Sequence, residues 1–417
     1  MECGLIGKVL VHSYSQIIHD SLGLYKYQLC ELQPEEIPAF FEKKDFMGIN
    51  VTIPYKQTVI PYLDEISEEA KEIGAVNTIV NRNGKLYGYN TDCSGLTALI
   101  NKAGITVAGK KVLILGTGGT SKTATYVAKK LGAKEILHVS RKASEDTITY
   151  EDAVTNHKDA QIIINTTPCG MYPETDNKPI DISCFNNLSG IVDAIYNPLK
   201  SQLVVDGLNA NIPSTGGLYM LVAQAIYASG HFCSKDPDLT VLDSIFDSLI
   251  AEKRNLVLTG MPSCGKTTIG KMLSKLTGKE LIDVDKEIVD KIKMPIADFF
   301  AANGEAAFRK IEAETIKELS LLTGKIISTG GGAVLNPKNI INLKQNGEII
   351  FINRPLEDLM PTSDRPLSSS KEHLTKLYNE RFEIYKSTCN YEILNDTTAE
   401  AAVEKIMKIT GGQKNEC

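Results

Sequence analysis

Two segments of the chain have residue types and spacing suited to holding nucleotide phosphates. In the first, Gly116-Thr-Gly118-Gly119-Thr-Ser121 follows the apolar run Lys111-Val-Leu-Ile-Leu115 and leads into a helical run from Lys122 to Leu131. Gly116 and Gly118 allow a tight turn and a close approach of backbone N–H groups to a pyrophosphate, while Ser121 is a small stand-in for the third glycine of a dinucleotide site. Where an NAD site ends its next strand on an acid for the ribose 2′-hydroxyl, this chain has Ser140-Arg141-Lys142. A guanidinium there suits a 2′-phosphate and favours NADP; a solvated basic strand end is the plain alternative. In the second segment, Gly260-Met-Pro-Ser-Cys264-Gly265-Lys266-Thr267 follows Asn255-Leu-Val-Leu-Thr259 and opens a helical run to Leu276. This is the full P-loop pattern in its confirming context. Its backbone cradles phosphates, Lys266 reaches the β- and γ-phosphates, and the Thr267 hydroxyl is a ligand for Mg²⁺.

The elements around these turns alternate strand and helix, as in α/β proteins. Before the first turn, apolar runs at 4–11, 24–32, 46–53 and 75–81 read as strands, and 14–22, 34–43 and 56–72 read as helices. After it, Glu135-Val139, Ala160-Asn165 and Gly190-Asp193 read as strands and Gly217-Gly230 as a helix. Apolar spacing over Asp236-Arg254 predicts an amphipathic helix that runs directly into the second motif's strand. The 417 residues, 42% hydrophobic and 23% charged, fit several packed domains of ordinary globular composition. A net charge of -6 gives no basic field for nucleic acid, so small-molecule partners are expected. No stretch is long and apolar enough to span a bilayer, and the first thirty residues lack a signal-peptide pattern, so a cytoplasmic location without membrane contact is expected. The nine cysteines form no C-x-x-C pair and read as reduced thiols.

In the first half, polar clusters interrupt apolar surroundings at His12-Ser-Tyr-Ser15, Asn50-Val-Thr52-Ile-Pro-Tyr-Lys56, Asn77-Thr78 and Asn90-Thr-Asp92. With Gly4-Leu-Ile-Gly, Gly74-Ala-Val-Asn-Thr, Leu115-Gly-Thr-Gly-Gly, Ile164-Asn-Thr-Thr-Pro-x-Gly-Met and Gly217-x-x-Met-Leu-x-x-Gln-Ala in the same order, the region resembles shikimate dehydrogenase over about 250 residues. The resemblance implies that Ser13, Ser15, Thr52, Asn77 and Gln224 hold the substrate's carboxylate and hydroxyls, with Tyr196 nearby, and that Lys56 and Asp92 are the catalytic pair. An ammonium beside a carboxylate can polarise a ketone oxygen and relay a proton during hydride reduction. For Asp92, a helix N-cap is the structural alternative, and it is compatible with catalysis. Cofactor contacts are expected from Gly116, Gly118, Gly119, Ser140, Arg141 and Gly217. The chain departs from the family after the serine block, reading Gln16-Ile-Ile-His-Asp20, and at Ser140-Arg-Lys.

The second half resembles shikimate kinase through Ile282-Asp-Val-Asp285, Ile296-x-x-Phe-Phe-x-x-x-Gly304-Glu-x-x-Phe-Arg309-x-x-Glu312, Thr329-Gly-Gly-Gly332, Arg365-Pro-Leu and Arg381-x-x-x-Tyr385. By that similarity Asp285 binds the substrate hydroxyls and orients the attacking one, and Asp283 supports Mg²⁺ through water. Arg309 and Arg381 clamp the carboxylate, Gly331 gives a backbone contact, and Arg365 sits in a lid over the transferring phosphoryl. Gly260, Cys264, Gly265, Lys266, Thr267 and Thr268 would contact ATP. A strand-end carboxylate facing water and a helix-surface pair with Glu312 are the structural alternatives for Asp283 and Arg309. The family's glycine inside the P-loop is Ser263 here, its Pro before Tyr385 is Glu383, and the lid from about Pro361 to Ser370 is short, without the extra arginine near Met360.

The expected architecture is α/β: a substrate lobe at 1–100 completed by 217–253, a Rossmann NADP-binding domain at 101–216, and a P-loop kinase domain at 254–417 built on a parallel sheet with flanking helices. The two resemblances fall on consecutive reactions: 3-dehydroshikimate plus NADPH gives shikimate, and shikimate plus ATP gives shikimate 3-phosphate. The alternatives are a quinate-type dehydrogenase fused to a related kinase, or one half acting as a silent regulatory module.

Overall fold

The computed structural model describes residues 1–10, 13–361 and 370–411. They form two compact units, Met1–Asp247 and Ser248–Cys417. The boundary falls within the helix Leu242–Lys253, whose far end is the join expected near 253.

Strands β1 (Cys3–Gly7), β2 (Tyr27–Glu31), β3 (Gly48–Val51), β4 (Glu65–Ile66), β5 (Thr78–Arg82) and β6 (Lys85–Tyr89) form the first sheet, in the order β2-β1-β3-β5-β6-β4. It is mixed, with β3-β5 and β5-β6 antiparallel. Side chains alternate between two covered faces: Ile6, Ile49 and Ile79 enter one core, while Leu5, Tyr27 and Val80 enter the other with Phe232. Phe232 lies on the helix Leu218–Cys233 and packs so closely on β3 that a Cβ at Gly48 would strike its ring. The helix expected over 56–72 is instead a 3₁₀ turn at Ile60–Tyr62, then β4, then a short helix Glu68–Ile73. Pro61 has no N–H to continue a helix begun at 56, and Ser67 starts a new one by accepting from Ala70 N–H at 3.2 Å.

Strands β7 (Lys111–Leu115), β8 (Glu135–Ser140), β9 (Thr147–Thr149), β10 (Ile162–Asn165), β11 (Gly190–Asp193) and β12 (Ser214–Thr215) form an all-parallel sheet in the order β12-β11-β10-β7-β8-β9. The chain winds outward from β7 in both directions, the doubly wound Rossmann order. Its switch point lies between β7 and β10, where such sheets bind ligands at strand C-termini.

In the second unit, β13 (Asn255–Thr259), β14 (Glu280–Asp283), β15 (Lys325–Ser328), β16 (Gly347–Asn353) and β17 (Tyr391–Leu394) form a parallel sheet in the order β14-β15-β13-β16-β17. Val257, Leu258, Ile326, Ile327, Ile350 and Ile352 are buried, the apolar run expected when helices cover both faces. The helical span Ile296–Ser320 is broken at Gly304, whose φ of 79° and ψ of 171° only glycine adopts readily. That break re-aims the turn carrying Glu305, Phe308 and Arg309. Among the described residues no helix is long and apolar enough to cross a membrane.

Candidate active sites

The first site lies where the first sheet meets two helix ends. Lys56 follows Tyr55, a buried residue whose hydroxyl donates to the Leu32 carbonyl at 2.5 Å and fixes the turn after β3. Asp92 opens the helix Asp92–Lys102 as its first residue, with Thr91 at the cap position. Lys56 Nζ and Asp92 Oδ2 are 2.6 Å apart, with side chains 17% and 10% exposed, a charge-assisted contact partly shielded from water. Asn77 is beside this pair. Its Oδ1 accepts from Thr91 N–H at 2.7 Å, and its Nδ2 is 3.1 Å from Thr91 Oγ1 and 3.5 Å from Gln224 Oε1. Gln224 reaches across because its helix touches the Asp92 helix at Gly95, where a Cβ would lie 2.6 Å from the Met220 carbonyl oxygen.

Ser15 is buried at the start of its own helix, and its N–H donates to Ser13 Oγ at 3.2 Å. Thr52 is held by its N–H to the Ile6 carbonyl at 3.0 Å. Between the serines, Tyr14 packs against Tyr196, ring centroids 5.5 Å apart, which brings the segment after β11 to the serine block. Neither Tyr14 nor Thr91 stood out in the sequence; the spacing Ser-Tyr-Ser and Asn-Thr-Asp was the available signal. His12 lies outside the described residues.

The dinucleotide turn sits at the switch point of the second sheet. Gly116 has φ 105°, and a Cβ there would meet Thr166 Oγ1 and Thr167 Cγ2 at 2.9 Å. At Gly118 and Gly119 an added Cβ would meet nothing within 4 Å, so this face of the turn is open beside the N-terminus of the helix Gly119–Lys130. Ser121, in place of the third glycine, is buried, and its hydroxyl is 3.3 Å from His138 Nδ1 on β8. Ser140 bonds back onto its own loop at the Lys142 carbonyl, and Arg141, just beyond β8, is exposed. Gly217 donates to the Ile195 carbonyl at 2.7 Å, and a Cβ there would clash with the Ala194 carbonyl oxygen.

In the second unit the P-loop turns on Gly260 (φ 142°), Ser263 (φ 63°) and Gly265 (φ 102°). Lys266 is buried, and its Nζ donates to the Gly260 and Met261 carbonyls, each at 2.9 Å. Asn395, past the end of β17, braces the loop by donating to the Cys264 carbonyl at 2.9 Å, a contribution no local motif announces. Thr267 and Thr268 are exposed on the first turn of the helix Lys266–Thr277. Asp283 Oδ1 caps the helix Val284–Ile292 by accepting from the N–H groups of Asp285 and Lys286.

Asp285, Arg309, Glu312 and Arg381 converge on the glycine loop after β15. A Cβ at Gly330 would lie 2.7 Å from Asp285 Oδ1, and one at Gly332 would strike the Arg309 guanidinium. Arg309 pairs with buried Glu312 at 2.7 Å and with Glu305 at 3.1 Å. The surface pair with Glu312 considered for Arg309 therefore exists, but it is largely buried and faces the glycine loop. Burial pushes the Glu312 carboxyl up, with Asp285 adding to the shift and Arg309 and Arg381 opposing it. Arg381 donates to the Gly331 carbonyl at 3.0 Å, and the Tyr385 hydroxyl donates to the same oxygen. Both lone pairs of that carbonyl are thus engaged, so the backbone group Gly331 can still offer is its N–H. Arg365 and the lid segment 362–369 lie outside the described residues.

Residues 5–79 match the family model for the shikimate dehydrogenase substrate binding domain, and residues 262–410 match that for shikimate kinase. The shikimate dehydrogenase (NADP(+)) of Clostridium beijerinckii is 41% identical over 267 residues, 59% of this chain and 97% of that protein. The chain belongs to the shikimate dehydrogenase family. Among solved structures, shikimate dehydrogenase 1 of Peptoclostridium difficile matches with 37% identity and a TM-score of 0.55, covering 60% of this chain and 98% of its own. The Thermus thermophilus enzyme in complex with NADP(H) and shikimate matches with 25% identity and a TM-score of 0.54, covering 60% and 99%. Beyond that region the chain continues into the part that matches the shikimate kinase model, residues 262–410.

Proposed function

We propose that the chain reduces 3-dehydroshikimate to shikimate with NADPH at Lys56 and Asp92, and phosphorylates shikimate at the second site with ATP and Mg²⁺. It is a bifunctional shikimate-pathway enzyme, both oxidoreductase and phosphotransferase. The observation that carries the reading is that each unit holds its own set of reacting groups: the Lys56–Asp92 pair at 2.6 Å beside Asn77 in one, the P-loop Lys266 with the Asp285, Arg309 and Arg381 cluster in the other.

Bound NADPH supplies the hydride. Ser13, Ser15, Thr52, Asn77, Tyr196 and Gln224 line the substrate. The Lys56 ammonium donates a proton to the oxygen that gains charge as the ketone is reduced, and Asp92, 2.6 Å away, aims that ammonium. In the second site the substrate carboxylate lies against Arg309 and Arg381, and Asp285 orients the attacking hydroxyl. ATP supplies the γ-phosphoryl, and Lys266 offsets its charge. Thr267 and Asp283 are oxygen donors of the hard kind that Mg²⁺ takes, and they would hold the cation that offsets phosphate charge.

Arg141 supports NADPH over NAD, and the choice between shikimate and quinate falls to the assay. The purified chain should oxidise NADPH on addition of 3-dehydroshikimate, and Arg141→Asp should weaken NADPH far more than NADH. Equal loss with both cofactors would remove the 2′-phosphate role. Preference for quinate and NAD in the unmodified chain would remove the shikimate reading itself.

A further inference from the structure

We propose that Asp193 is a positioning residue for the reduction: one buried carboxylate holds together the loop that walls the cofactor turn and the loop that carries Tyr196. The proposal rests on reading the first site as an NADPH-linked dehydrogenase.

Asp193 ends β11 and is fully buried. Its Oδ1 accepts from Asn165 Nδ2 and from Ile195 N–H, both at 3.0 Å, and its Oδ2 from the Ser201 hydroxyl at 2.5 Å. Burial pushes this carboxyl up to about 7, and the three neutral donors oppose that shift. A buried acid of this kind persists only where its hydrogen bonds are made, so each donor is held in place.

Two of the three bonds lead to different parts of the site, and the third fixes the helix that follows. Asn165 ends β10, in register with Leu115 on one side and Asp193 on the other. Its Oδ1 accepts from Thr167 N–H at 3.0 Å and Thr167 Oγ1 at 2.7 Å, and Thr166 and Thr167 are the residues that a Cβ at Gly116 would strike. Ile195 takes the Gly217 N–H on its carbonyl, and the next residue is Tyr196, packed on Tyr14 between the two serines. Ser201 caps the helix Gln202–Asn209 at Val204 N–H. Asp193 thus ties the wall of the cofactor turn to the wall of the substrate site without being assigned a contact to either molecule. Hydride transfer is sensitive to placement at the scale of 1 Å, where a displacement originating away from the chemistry can cost about 10²-fold.

The test uses full-length Asp193→Ala, Asp193→Asn and Asn165→Ala, with kcat, both KM values and thermal melting. NADPH oxidation by the unmodified chain, measured first, tests the underlying reading separately; only the variants test the role of Asp193. Asp193→Ala should lower kcat/KM about 10²-fold and raise KM for both NADPH and 3-dehydroshikimate. Asp193→Asn, whose amide oxygen can keep the Asn165 and Ile195 bonds, should stay within about tenfold of the unmodified chain. Asn165→Ala cuts only the cofactor branch, so KM should rise for NADPH and stay near normal for 3-dehydroshikimate. A lower melting temperature with unchanged kinetic constants in Asp193→Ala would overturn the proposal. If that variant does not fold, an unchanged NADPH KM in Asn165→Ala would overturn it.

Discussion

Lys266→Ala should reduce phosphorylation of shikimate by about 10²- to 10³-fold, the usual loss when a preorganised charge donor is removed, while reduction of 3-dehydroshikimate continues. The ammonium is buried within the P-loop, donating to the Gly260 and Met261 carbonyls, and its proposed role is to offset the negative charge of the transferring phosphoryl. Removing it also leaves two carbonyls without that donor, which makes some loss of stability expected. Lys266→Met keeps much of the volume and separates the two effects: phosphorylation should still fail while the melting temperature recovers. The dehydrogenase unit has its own sheets and cores and should be unaffected. Normal formation of shikimate 3-phosphate by either variant would contradict the P-loop assignment.

Lys56→Ala and Asp92→Asn should each lower kcat for the reduction by about 10²- to 10⁴-fold, with NADPH still binding. The 2.6 Å contact makes the two groups one unit, so the double variant should be hardly worse than the poorer single one. Each single change also leaves its partner, a partly buried charge, without its counter-ion, so melting temperature is measured alongside. Phosphorylation of added shikimate should persist in all three. Near-normal reduction by the singles would rule out a proton-transfer pair, and additive losses would mean that the groups act separately.

Much of the architecture was legible because it depends on short-range patterns. The runs ending at Leu115 and Thr259 are strands that stop at glycine turns with positive φ, and β11 spans the predicted Gly190–Asp193. Elements fixed by distant partners were less legible. The 56–72 stretch has helical composition, yet Pro61 and the pairing of β4 with β6 divide it. The hairpin β5–β6 turns on Asn83-Gly84, with φ of 55° and 85°, a hairpin signal present in the sequence that the α/β alternation overshadowed.

The candidate sites divide in the same way. Lys266 stands in a P-loop pattern legible from its spacing, and Lys56, Asp92 and Arg309 stand in blocks whose expected roles came from the resemblance to known families. Asn395, Asp193 and Tyr14 act through tertiary contacts, and nothing near them in sequence marks the partner. Glu312 lay in plain view three residues after Arg309, but its burial beside Asp285 depends on the break at Gly304 and the approach of the glycine loop.

One chain performing two consecutive reactions is tested by the mass of the product formed from 3-dehydroshikimate. Purified full-length chain supplied with 3-dehydroshikimate, NADPH and MgATP should yield shikimate 3-phosphate, with shikimate accumulating when ATP is withheld and no product when NADPH is withheld. Shikimate as the end product despite saturating MgATP, or no conversion of 3-dehydroshikimate at all, would contradict it.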